Sequence, residues 1–303
     1  MNSDPRDEIS LVPATGWHCA HLYYHFDRAR LRSLGTTELS DGCRDFIAVL
    51  DPQAAGAPAR LQTMIVSGQK ADFGLIALDP DPLVIDAMHQ RLLSGPLGSA
   101  LVPSWSFISL TEVSEYVPTA EQYGRLLQEK GLDPAGTEYQ TQLRQYERRL
   151  EIMRRQRLRP DLPAWPAVCF YPMNKRRDPG ANWFLLDYPE RQRLMHEHGE
   201  TGLKFAGKVT QLVTVGLGMD DWEWGVTLWA RNPEFLKDIV YRMRYDEASA
   251  RYAQFGPFYV GYLAPAAEIL KHCRVGLFPE RESVHAGESP KPSDRRPVLP
   301  PAG

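Results

Sequence analysis

The sequence has few cysteines, no excess of basic residues and no long apolar run. Its four cysteines lie far apart and form no Cys-x-x-Cys pair: Cys19, Cys43, Cys169 and Cys273. This pattern predicts a reducing compartment and neither a zinc nor an iron–sulfur site. The net charge of −3 argues against a nucleic-acid-binding protein, because a phosphate-binding surface usually shows as a basic excess. No apolar stretch approaches the length of a membrane span, and the acidic start MNSDPRDEIS is unlike a signal peptide, so we expect a soluble, cytoplasmic protein.

What the sequence does contain is an internal repeat. From residue 17 the first half reads as strand, helix, strand, strand, helix, strand, and the second half repeats that order. The segments DFGLIALDPDPL and DWEWGVTLWARNPEF share a hairpin and a helix-opening proline, and their first residues, 72 and 221, are 149 apart. A repeated βαββαβ unit predicts an α+β protein made of two fused ferredoxin-like units. Since helices cover each sheet on one face only, the two sheets are expected to pack their other faces together as a dimeric-type α+β barrel.

Composition predicts the boundaries between the parts of the chain. The expected parts are a flexible N-terminus at 1–15, a first ferredoxin-like half at 16–117, a charged helical connector at 118–160, a second half at 161–275 and a disordered, proline-rich tail at 276–303. Seven arginines fall within 144–159 of the connector. They indicate either a solvated helix face or a helix whose end reaches an acidic ligand.

The stretch from 169 to 215 carries most of the candidate functional residues. Alternating apolar positions predict a strand over Ala167–Tyr171 that Pro172 ends, which places Tyr171 at a strand terminus. A helix is expected to open at Pro189 and to end at Gly199, with His198 as its last residue.

Two polar residues of this stretch are predicted to face the core. At about 100° per residue, His198 shares a helix face with Leu194 and Met195, whereas His196 points about 160° away. On the following strand, Gln211 stands on one side in an apolar row with three valines at 209, 213 and 215, and a buried amide needs a partner. The histidine, the glutamine and the strand-end tyrosine are either three satisfied structural residues or one pocket that holds a metal on one side and offers polar groups on the other.

The remaining histidines offer alternatives to His198. His18, His21 and His25 have a spacing that would suit a helix, but the surrounding LYYHF favours a strand, so we expect core-edge or barrel residues there. The others are predicted to lie on the surface or in the tail: His196, His272 and His285.

Six motifs, in this order and spacing, resemble those of a known family. They are YPMNKR, LMxxHG, GKVxQ, DDWEWGVTL, MRxDExSARY and FGxFYVG, dense between residues 165 and 262. The chain resembles the peroxide-dependent coproheme decarboxylases, the haem-synthesis members of the chlorite dismutase-like family. The resemblance implies the same α+β barrel, iron coproporphyrin III as both substrate and redox centre, haem b as product, and a ring of five subunits. Whether a ferrochelatase hands coproheme over to the protein stays open.

The resemblance assigns roles to individual residues of this chain. Neutral imidazole is the usual protein ligand of porphyrin iron, which makes His198 the axial ligand. Lys175, Arg157 and Ser249 fall where the family binds the anionic propionates, and Met173 would line the porphyrin plane. The carboxylates that could orient His198 stay open among Asp220, Asp221, Asp246 and Glu247. Where the family commonly has an arginine after the histidine, this chain has Leu203, followed by Lys204.

The implied reaction consumes hydrogen peroxide. Peroxide would oxidise the iron, Tyr171 would carry the oxidising equivalent as a radical, and two propionates would lose carbon dioxide and become vinyl groups. Gln211 would face the distal side of the iron, where chlorite-splitting members carry an arginine. A neutral amide holds an anionic oxidant poorly, so chlorite degradation ranks below decarboxylation. The alternatives are a haem-binding or haem-delivery protein without turnover, and a barrel that binds no porphyrin.

Overall fold

The computed structural model describes residues 8–276, so residues 1–7 and most of the predicted disordered tail lie outside the described residues. The strands within this range are β1 (His18–Phe26), β2 (Arg60–Val66), β3 (Phe73–Asp79), β4 (Leu101–Thr111), β5 (Ala167–Lys175), β6 (Arg177–Asp178), β7 (Ala181–Asn182), β8 (Val209–Val215), β9 (Trp224–Ala230), β10 (Ala253–Phe255) and β11 (Tyr259–Leu263). The helices are α1 (Arg28–Ser33), α2 (Thr36–Val49), α3 (Pro82–Ser94), α4 (Ala120–Glu129), α5 (Thr137–Leu158), α6 (Tyr188–Leu203), α7 (Pro233–Met243), α8 (Glu247–Tyr252) and α9 (Ala266–His272).

The large sheet has the strand order β10-β5-β11-β2-β3-β1-β4-β8-β9, and β9 pairs back with β5. The first half contributes the order β4-β1-β3-β2, and the second half contributes β11-β5-β9-β8, which is the same order. Antiparallel pairs β11–β2 and β4–β8 join the halves and close the sheet on itself. The predicted pair of fused ferredoxin-like units in an α+β barrel is therefore confirmed.

The apolar side chains of the large sheet fill three separate regions because a strand presents alternate residues to opposite faces. Interior-facing residues of both halves meet between the sheets, where Tyr23, Phe107, Phe170 and Trp229 are almost fully buried. The outer face of the first half packs under α2, α3 and α9. The outer face of the second half packs under α7 and contains Tyr171. Tyr171 thus points outward toward the helices and away from the barrel interior.

His21 belongs to the barrel interior, as its strand pattern predicts. Its imidazole is fully buried, stacks on Phe170 at 4.0 Å between ring centroids and hydrogen-bonds the Thr227 hydroxyl at 2.7 Å. Burial lowers the pKa of His21 to about 3, so the ring is uncharged at neutral pH. This histidine is a structural residue of the core.

The predicted end of β5 at Pro172 is wrong. The strand continues to Lys175, and Pro172 lies opposite Gly225 of β9. On its other side Pro172 faces the gap between β10 and β11, where its carbonyl accepts a hydrogen bond from the Gly256 amide at 2.8 Å. A proline interrupts a strand only where an amide donor is needed, and none is needed at this gap.

The predicted end of α6 at Gly199 is also wrong. The helix begins after Asp187, whose side chain caps the Glu190 amide, and it runs on to Leu203. His198 therefore lies inside the helix. The chain reverses at Gly207, which has a positive φ of 77°, whereas the φ of Gly199 is not positive. A glycine in a helix interior costs about 1 kcal/mol relative to alanine, which tertiary packing readily offsets.

The connector forms two helices, α4 and α5, as its composition predicts. Tyr123 and Tyr146 stack across them at 4.0 Å, and the Tyr146 hydroxyl donates to the Pro118 carbonyl. Only Tyr139 of α5 is buried, so most arginines of this helix lie on a solvated face. The helix end is held by a hydrogen bond of 2.8 Å from the Thr111 hydroxyl to the Leu158 carbonyl. Among the described residues, none of the helices has the length and apolar character that crossing a membrane requires.

Candidate functional site

Strand β5 places a buried phenol beneath the helices of the second half. Tyr171 is 6% exposed and stacks on Phe258 at 4.5 Å between ring centroids, with Phe255 at 5.7 Å. Burial raises the pKa of Tyr171 well above its usual value. The phenol therefore keeps its proton at neutral pH and lies in a dry, aromatic surrounding.

His198 is the imidazole that α6 presents to this region. Its Nδ1 lies 3.0 Å from Asp246 Oδ2, and the side chain is 29% exposed. His196 is 78% exposed and pairs with Glu200, so the predicted difference between the two histidines is confirmed. A carboxylate at Nδ1 fixes the proton there and leaves Nε2 with a lone pair for a metal.

Asp246 is the residue that joins the parts of the site. It is 3% exposed, caps α8 by accepting from the Ser249 amide at 2.8 Å, and binds His198 with its other oxygen. Burial by itself would raise the pKa of Asp246, but the hydrogen bonds and charge of His198, with the help of Ser249, lower it overall. Its negative charge also acts on Tyr171 and Lys175. The Asp246 carboxylate thus orients the imidazole, and its charge favours the protonated forms of the phenol and the ammonium.

The sequence left four carboxylates open as partners of His198, and the structure selects Asp246. Asp220 instead accepts a hydrogen bond from the Ile108 amide at 3.1 Å. Glu247 pairs with Arg193 on the surface at 2.8 Å. The choice required the tertiary arrangement because all four residues belong to short acidic motifs of similar composition.

Lys175 lies four residues beyond Tyr171, on the same face of β5. Its Nζ is 4.0 Å from the centroid of the Trp183 ring, which is itself 4% exposed. Burial lowers the pKa of Lys175 to about 8, against the opposing influence of Asp246 and Glu223. A bound anion would stabilise the charged form of this half-buried ammonium, because the anion replaces the interactions with water that burial removed.

Glu223 anchors the end of β5 and was not predicted from the sequence. It is 5% exposed, accepts from the Lys175 amide at 2.8 Å and pairs with the Arg177 guanidinium. Its own amide donates to the Asn174 side chain at 2.8 Å. The signal available in the sequence was the single acid between two tryptophans in DDWEWG. In a strand, alternation would place this acid on the face opposite to the two tryptophans, but it does not indicate what the acid contacts.

Gln211 lies on the predicted face of β8, but its predicted burial is wrong. Val209 and Val213 pack into the outer apolar region that contains Tyr171, whereas Leu212 packs into the barrel interior. Gln211 therefore points to the same side as Tyr171, and it is exposed there. An exposed amide beside this apolar wall is available to a ligand, which a satisfied core amide is not.

The other predicted site residues occupy different depths. Met173 is half-buried against the Tyr171 region, and the Ser249 hydroxyl lies 3.5 Å from His198 Nδ1. Arg157 is half-buried in the last turn of α5, where burial lowers its pKa, and no hydrogen bond joins it to the other site residues within residues 8–276. Leu203 is 73% exposed, and Lys204 follows as the C-cap of α6.

This donor set fits an anionic macrocycle that carries its own metal. One imidazole with a fixed tautomer offers a single axial bond, and apolar side chains around Tyr171, Met173 and Val213 offer a wall for a flat ring. Lys175 offers a cation for a carboxylate. Within the described part of the chain, no group of three or more His, Cys, Asp or Glu side chains is arranged to hold a metal ion by itself.

Comparison with known proteins identifies relatives over most of the chain. The family model described as chlorite dismutase matches residues 40–264. Coproheme decarboxylase of Staphylococcus carnosus is 36% identical over 256 residues, which cover 82% of this chain and 92% of that protein. Coproheme decarboxylase of Oceanobacillus iheyensis is 33% identical over 269 residues, which cover 88% and 99%.

Solved structures also match over most of the chain. A structure described as a novel heme-binding protein from Thermus thermophilus has a TM-score of 0.67 and 33% identity, and the match covers 88% of this chain and 98% of that one. A single-residue mutant of chlorite dismutase from Candidatus Nitrospira defluvii has a TM-score of 0.64 at 16% identity over 87% and 97%, which supports the fold alone. With the family model matching most of its length, this chain belongs to the chlorite dismutase family.

Proposed function

We propose that this protein is a coproheme decarboxylase, which converts two propionates of iron coproporphyrin III to vinyl groups with hydrogen peroxide and so makes haem b. The observation that carries the proposal is the pair of His198 and Asp246, together with a buried phenol and a half-buried ammonium on one face of β5. Relatives with this name at 33–36% identity across most of the chain support it.

His198 holds the substrate by its iron. Nε2 donates to the metal, while Asp246 keeps the proton on Nδ1 and increases the basicity of the ring. The Ser249 amide and the start of α8 hold the carboxylate in turn, so the imidazole has one orientation. We assign the Ser249 hydroxyl and Arg157 to propionates, Met173 to the ring plane and Gln211 to the distal side.

Tyr171 carries the oxidising equivalent to the propionate. When bound, coproheme supplies an iron centre that peroxide oxidises. The phenol gives up one electron and its proton, and the resulting phenoxyl oxygen takes a hydrogen atom from a propionate carbon, which restores the phenol. Loss of a second electron and of carbon dioxide then leaves a vinyl group. Each propionate yields two electrons, which together with protons reduce one peroxide to two waters.

Lys175 positions the reacting carboxylate by charge. Its ammonium is half-buried on the same strand face as Tyr171, two residues beyond Met173, so a carboxylate paired with it lies over the face of β5 that carries the phenol. The pair weakens as carbon dioxide leaves, because the product vinyl group carries no charge. A neutral amide at Gln211 suits peroxide better than the anion chlorite, which disfavours chlorite degradation.

The family membership also motivates proposals on assembly and supply. We assign the protein to the cytoplasm as a homopentamer that receives coproheme from a ferrochelatase. Light scattering of the purified protein tests the assembly, and co-purification with a ferrochelatase tests the transfer.

The test of the function is an anaerobic titration of the purified protein with iron coproporphyrin, followed by peroxide and mass spectrometry. We expect a change in the porphyrin absorption on binding and then two successive losses of carbon dioxide, each accompanied by the loss of two hydrogen atoms. His198→Ala should lose the absorption change of the axial bond and the turnover, whereas His196→Ala, on the opposite helix face, should keep both. Binding without any mass loss in the unaltered protein would make it a haem-binding protein and would refute the decarboxylase.

A further inference from the structure

A cleft of about 680 Å³ lies where β2 of the first half pairs with β11 of the second, between α1 and the turn after α9. Tyr262 and Ile65, which lie opposite each other on these two strands, contribute apolar surface to it together with Leu31 of α1. Tyr262 is 41% exposed, so part of its ring is open to solvent. We call this the seam cleft. Its size and apolar surface suit a ligand with a large apolar body.

The cations around the seam cleft outnumber the acids. Arg28, Arg32 and Arg274 line it, and Asp72 is the one acid among the described residues that do so. Asp72 is already occupied, because Oδ1 pairs with Arg28 at 3.0 Å and Oδ2 accepts from the Phe26 amide at 2.7 Å. In the described part of the chain, neither Arg32 nor Arg274 has a carboxylate within salt-bridge distance. Two guanidinium groups therefore remain for a ligand, and a guanidinium binds a carboxylate through two parallel hydrogen bonds.

Arg274 occupies a position where glycine is usual. It follows Cys273, the C-cap of α9, and its φ of 55° is the only positive φ of a non-glycine residue in the range that the structure describes. Its amide donates to the Lys271 carbonyl at 3.1 Å, and the Val275 amide donates to the Leu270 carbonyl at 2.8 Å, which are the two hydrogen bonds of a Schellman motif. A side chain is unfavourable in this conformation, so glycine would make the turn more stable. An arginine at such a position indicates that its guanidinium contributes something other than stability.

The seam cleft lies on the same side of the sheet as the proposed site. Val260, two residues before Tyr262 on β11, packs into the outer apolar region that contains Tyr171. Tyr262 is paired with Ala167, four residues before Tyr171 on β5, so the two tyrosines are separated by roughly 13 Å along the strands. A ligand in the cleft is therefore close to the face of β5 that carries Tyr171.

We propose that the seam cleft is a capture site, where iron coproporphyrin first binds through its propionates before it moves to His198. The inference rests on the proposed function, which supplies a ligand with four carboxylates on a flat apolar ring. Arg32 and Arg274 hold two of the propionates, and Tyr262 and Ile65 contact the macrocycle. Because the net charge of the protein is −3, this pair of guanidinium groups attracts the anion to one place on the surface.

Binding is tested with iron-free coproporphyrin III, which cannot form the axial bond to His198. The protein is first loaded with one equivalent of iron coproporphyrin and then titrated with the iron-free porphyrin, whose fluorescence is quenched on binding by energy transfer to the neighbouring iron porphyrin. We expect one further equivalent to bind. Arg32→Ala and Arg274→Gly should each weaken this binding about tenfold, since each removes a charge-assisted contact to a carboxylate. Arg44→Ala is the matched control, because Arg44 is exposed, pairs with Asp41 and lies outside the cleft.

The Arg274→Gly variant also separates a lost contact from a damaged fold. Glycine relieves the unfavourable φ, so the melting temperature of the variant should rise by about 2 °C while its porphyrin binding falls. A fall in both the melting temperature and the binding would overturn the role of Arg274 as a ligand-binding residue.

Capture is tested by stopped-flow mixing of the unloaded protein with iron coproporphyrin at low salt. The association rate constant at His198, followed by the porphyrin absorption, should fall about threefold or more in Arg32→Ala and in Arg274→Gly. The final absorption should match that of the unaltered protein, because the axial bond is intact. Arg44→Ala should keep both the rate and the final absorption. Equal rates in the unaltered protein and in Arg32→Ala would overturn the capture site.

The outcomes separate the cleft from the function on which it rests. A loaded protein that takes up no second porphyrin, or that binds it equally well in Arg32→Ala, overturns the proposed role of the seam cleft even where decarboxylation is intact. Displacement of the second porphyrin by an equal concentration of citrate would also overturn it, because the site would then be one for small anions without an apolar body. A protein that binds the second porphyrin at the cleft and never decarboxylates coproheme would refute the proposed function and support the cleft.

Discussion

The two halves of the barrel have the same strand order and opposite contents on their helix-covered faces. Leu22 lies opposite Leu75 in the first half, as Tyr171 lies opposite Val226 in the second. Phe46 and His198 each lie ten residues after the first residue of α2 and α6, and their exposed fractions are 2% for the phenylalanine and 29% for the histidine side chain. At these positions the helix-covered face is apolar in the first half, whereas in the second half it carries a phenol and an imidazole.

The difference shows how the duplication divides stability and function. In the first half, Phe26, Phe46 and Phe73 pack against one another at centroid distances of 5.2 to 6.0 Å and close the face. In the second half, a half-buried ammonium, an imidazole and an exposed amide stand beside an apolar wall. Polar groups beside an apolar wall contribute less to stability than close-packed rings, and active sites commonly reduce stability in this way.

Replacement of the phenol should have the largest effect on the reaction. Tyr171→Phe keeps the stacking on Phe258 and removes the only group proposed to carry the radical to the propionate, so decarboxylation should fall by a factor on the order of a hundred or more. Coproheme binding, followed by absorption, should persist. Tyr241→Phe, at a 64% exposed position, is the control and should leave turnover unchanged. Undiminished mass loss in Tyr171→Phe would remove this residue from the mechanism.

Neutralising the partner of the ligand histidine should have the next largest effect. Asp246→Asn keeps a hydrogen-bond acceptor at His198 Nδ1 but removes the negative charge, so coproheme affinity or activity should fall about 10- to 100-fold. The reduction potential of the bound iron should rise, because the less basic imidazole stabilises the oxidised metal less. Glu247→Gln changes the neighbouring surface acid, which pairs with Arg193, and should shift neither quantity. Equal potentials in the Asp246→Asn variant and the unaltered protein would contradict the assignment.

Lys175 should make coproheme binding depend on pH. Because burial lowers the pKa of Lys175 to about 8, its ammonium is present below that pH and is lost as the pH rises through it. The KM for coproheme should therefore rise between about pH 7 and pH 9, approaching tenfold per unit above the pKa. The Lys175→Arg variant keeps its positive charge over this range, so its KM for coproheme should not change with pH. The same rise in the arginine variant would assign the titration to another group.

Substitution of a buried residue in the first half should lower the stability of the protein and leave its turnover unchanged. Phe46→Ala removes a buried ring and should lower the free energy of unfolding by about 3 to 5 kcal/mol in urea titrations. Turnover per folded molecule should be unchanged, because Phe46 lies in the other half of the barrel from the proposed site. Ile47→Ala, 39% exposed on the same helix, should cost about 0.5 kcal/mol or less. A loss of turnover in folded Phe46→Ala would show that the two faces are coupled.

Local patterns in the sequence were sufficient for most of the elements. The order of strands and helices that the sequence predicts for each half is the order of the main elements in the structure. The orientation of His198 against His196 also followed from helical periodicity. These features depend on neighbours within a few residues, which a pattern of letters records completely.

Breaker residues were misleading because their effect depends on distant neighbours. Pro172 continues a strand because the gap between β10 and β11 faces it, and Gly199 continues a helix because α6 packs against α7 and α8. The exposure of Gln211 has the same origin, since alternation gives the face of a residue and not what covers that face. The short helices α1, α8 and α9 were missed, and α8 brings Asp246 to the histidine.

The sequence by itself determined the duplicated topology, the face that each strand and helix buries, and the identity of the candidate ligand, because periodicity and repeats are properties of the chain. Only the tertiary structure decided which acid holds His198, that Lys175 is half-buried over Trp183, and that Glu223 ties the end of β5. Those contacts join residues about 8 to 50 positions apart, and their geometry exists only after the sheet has closed.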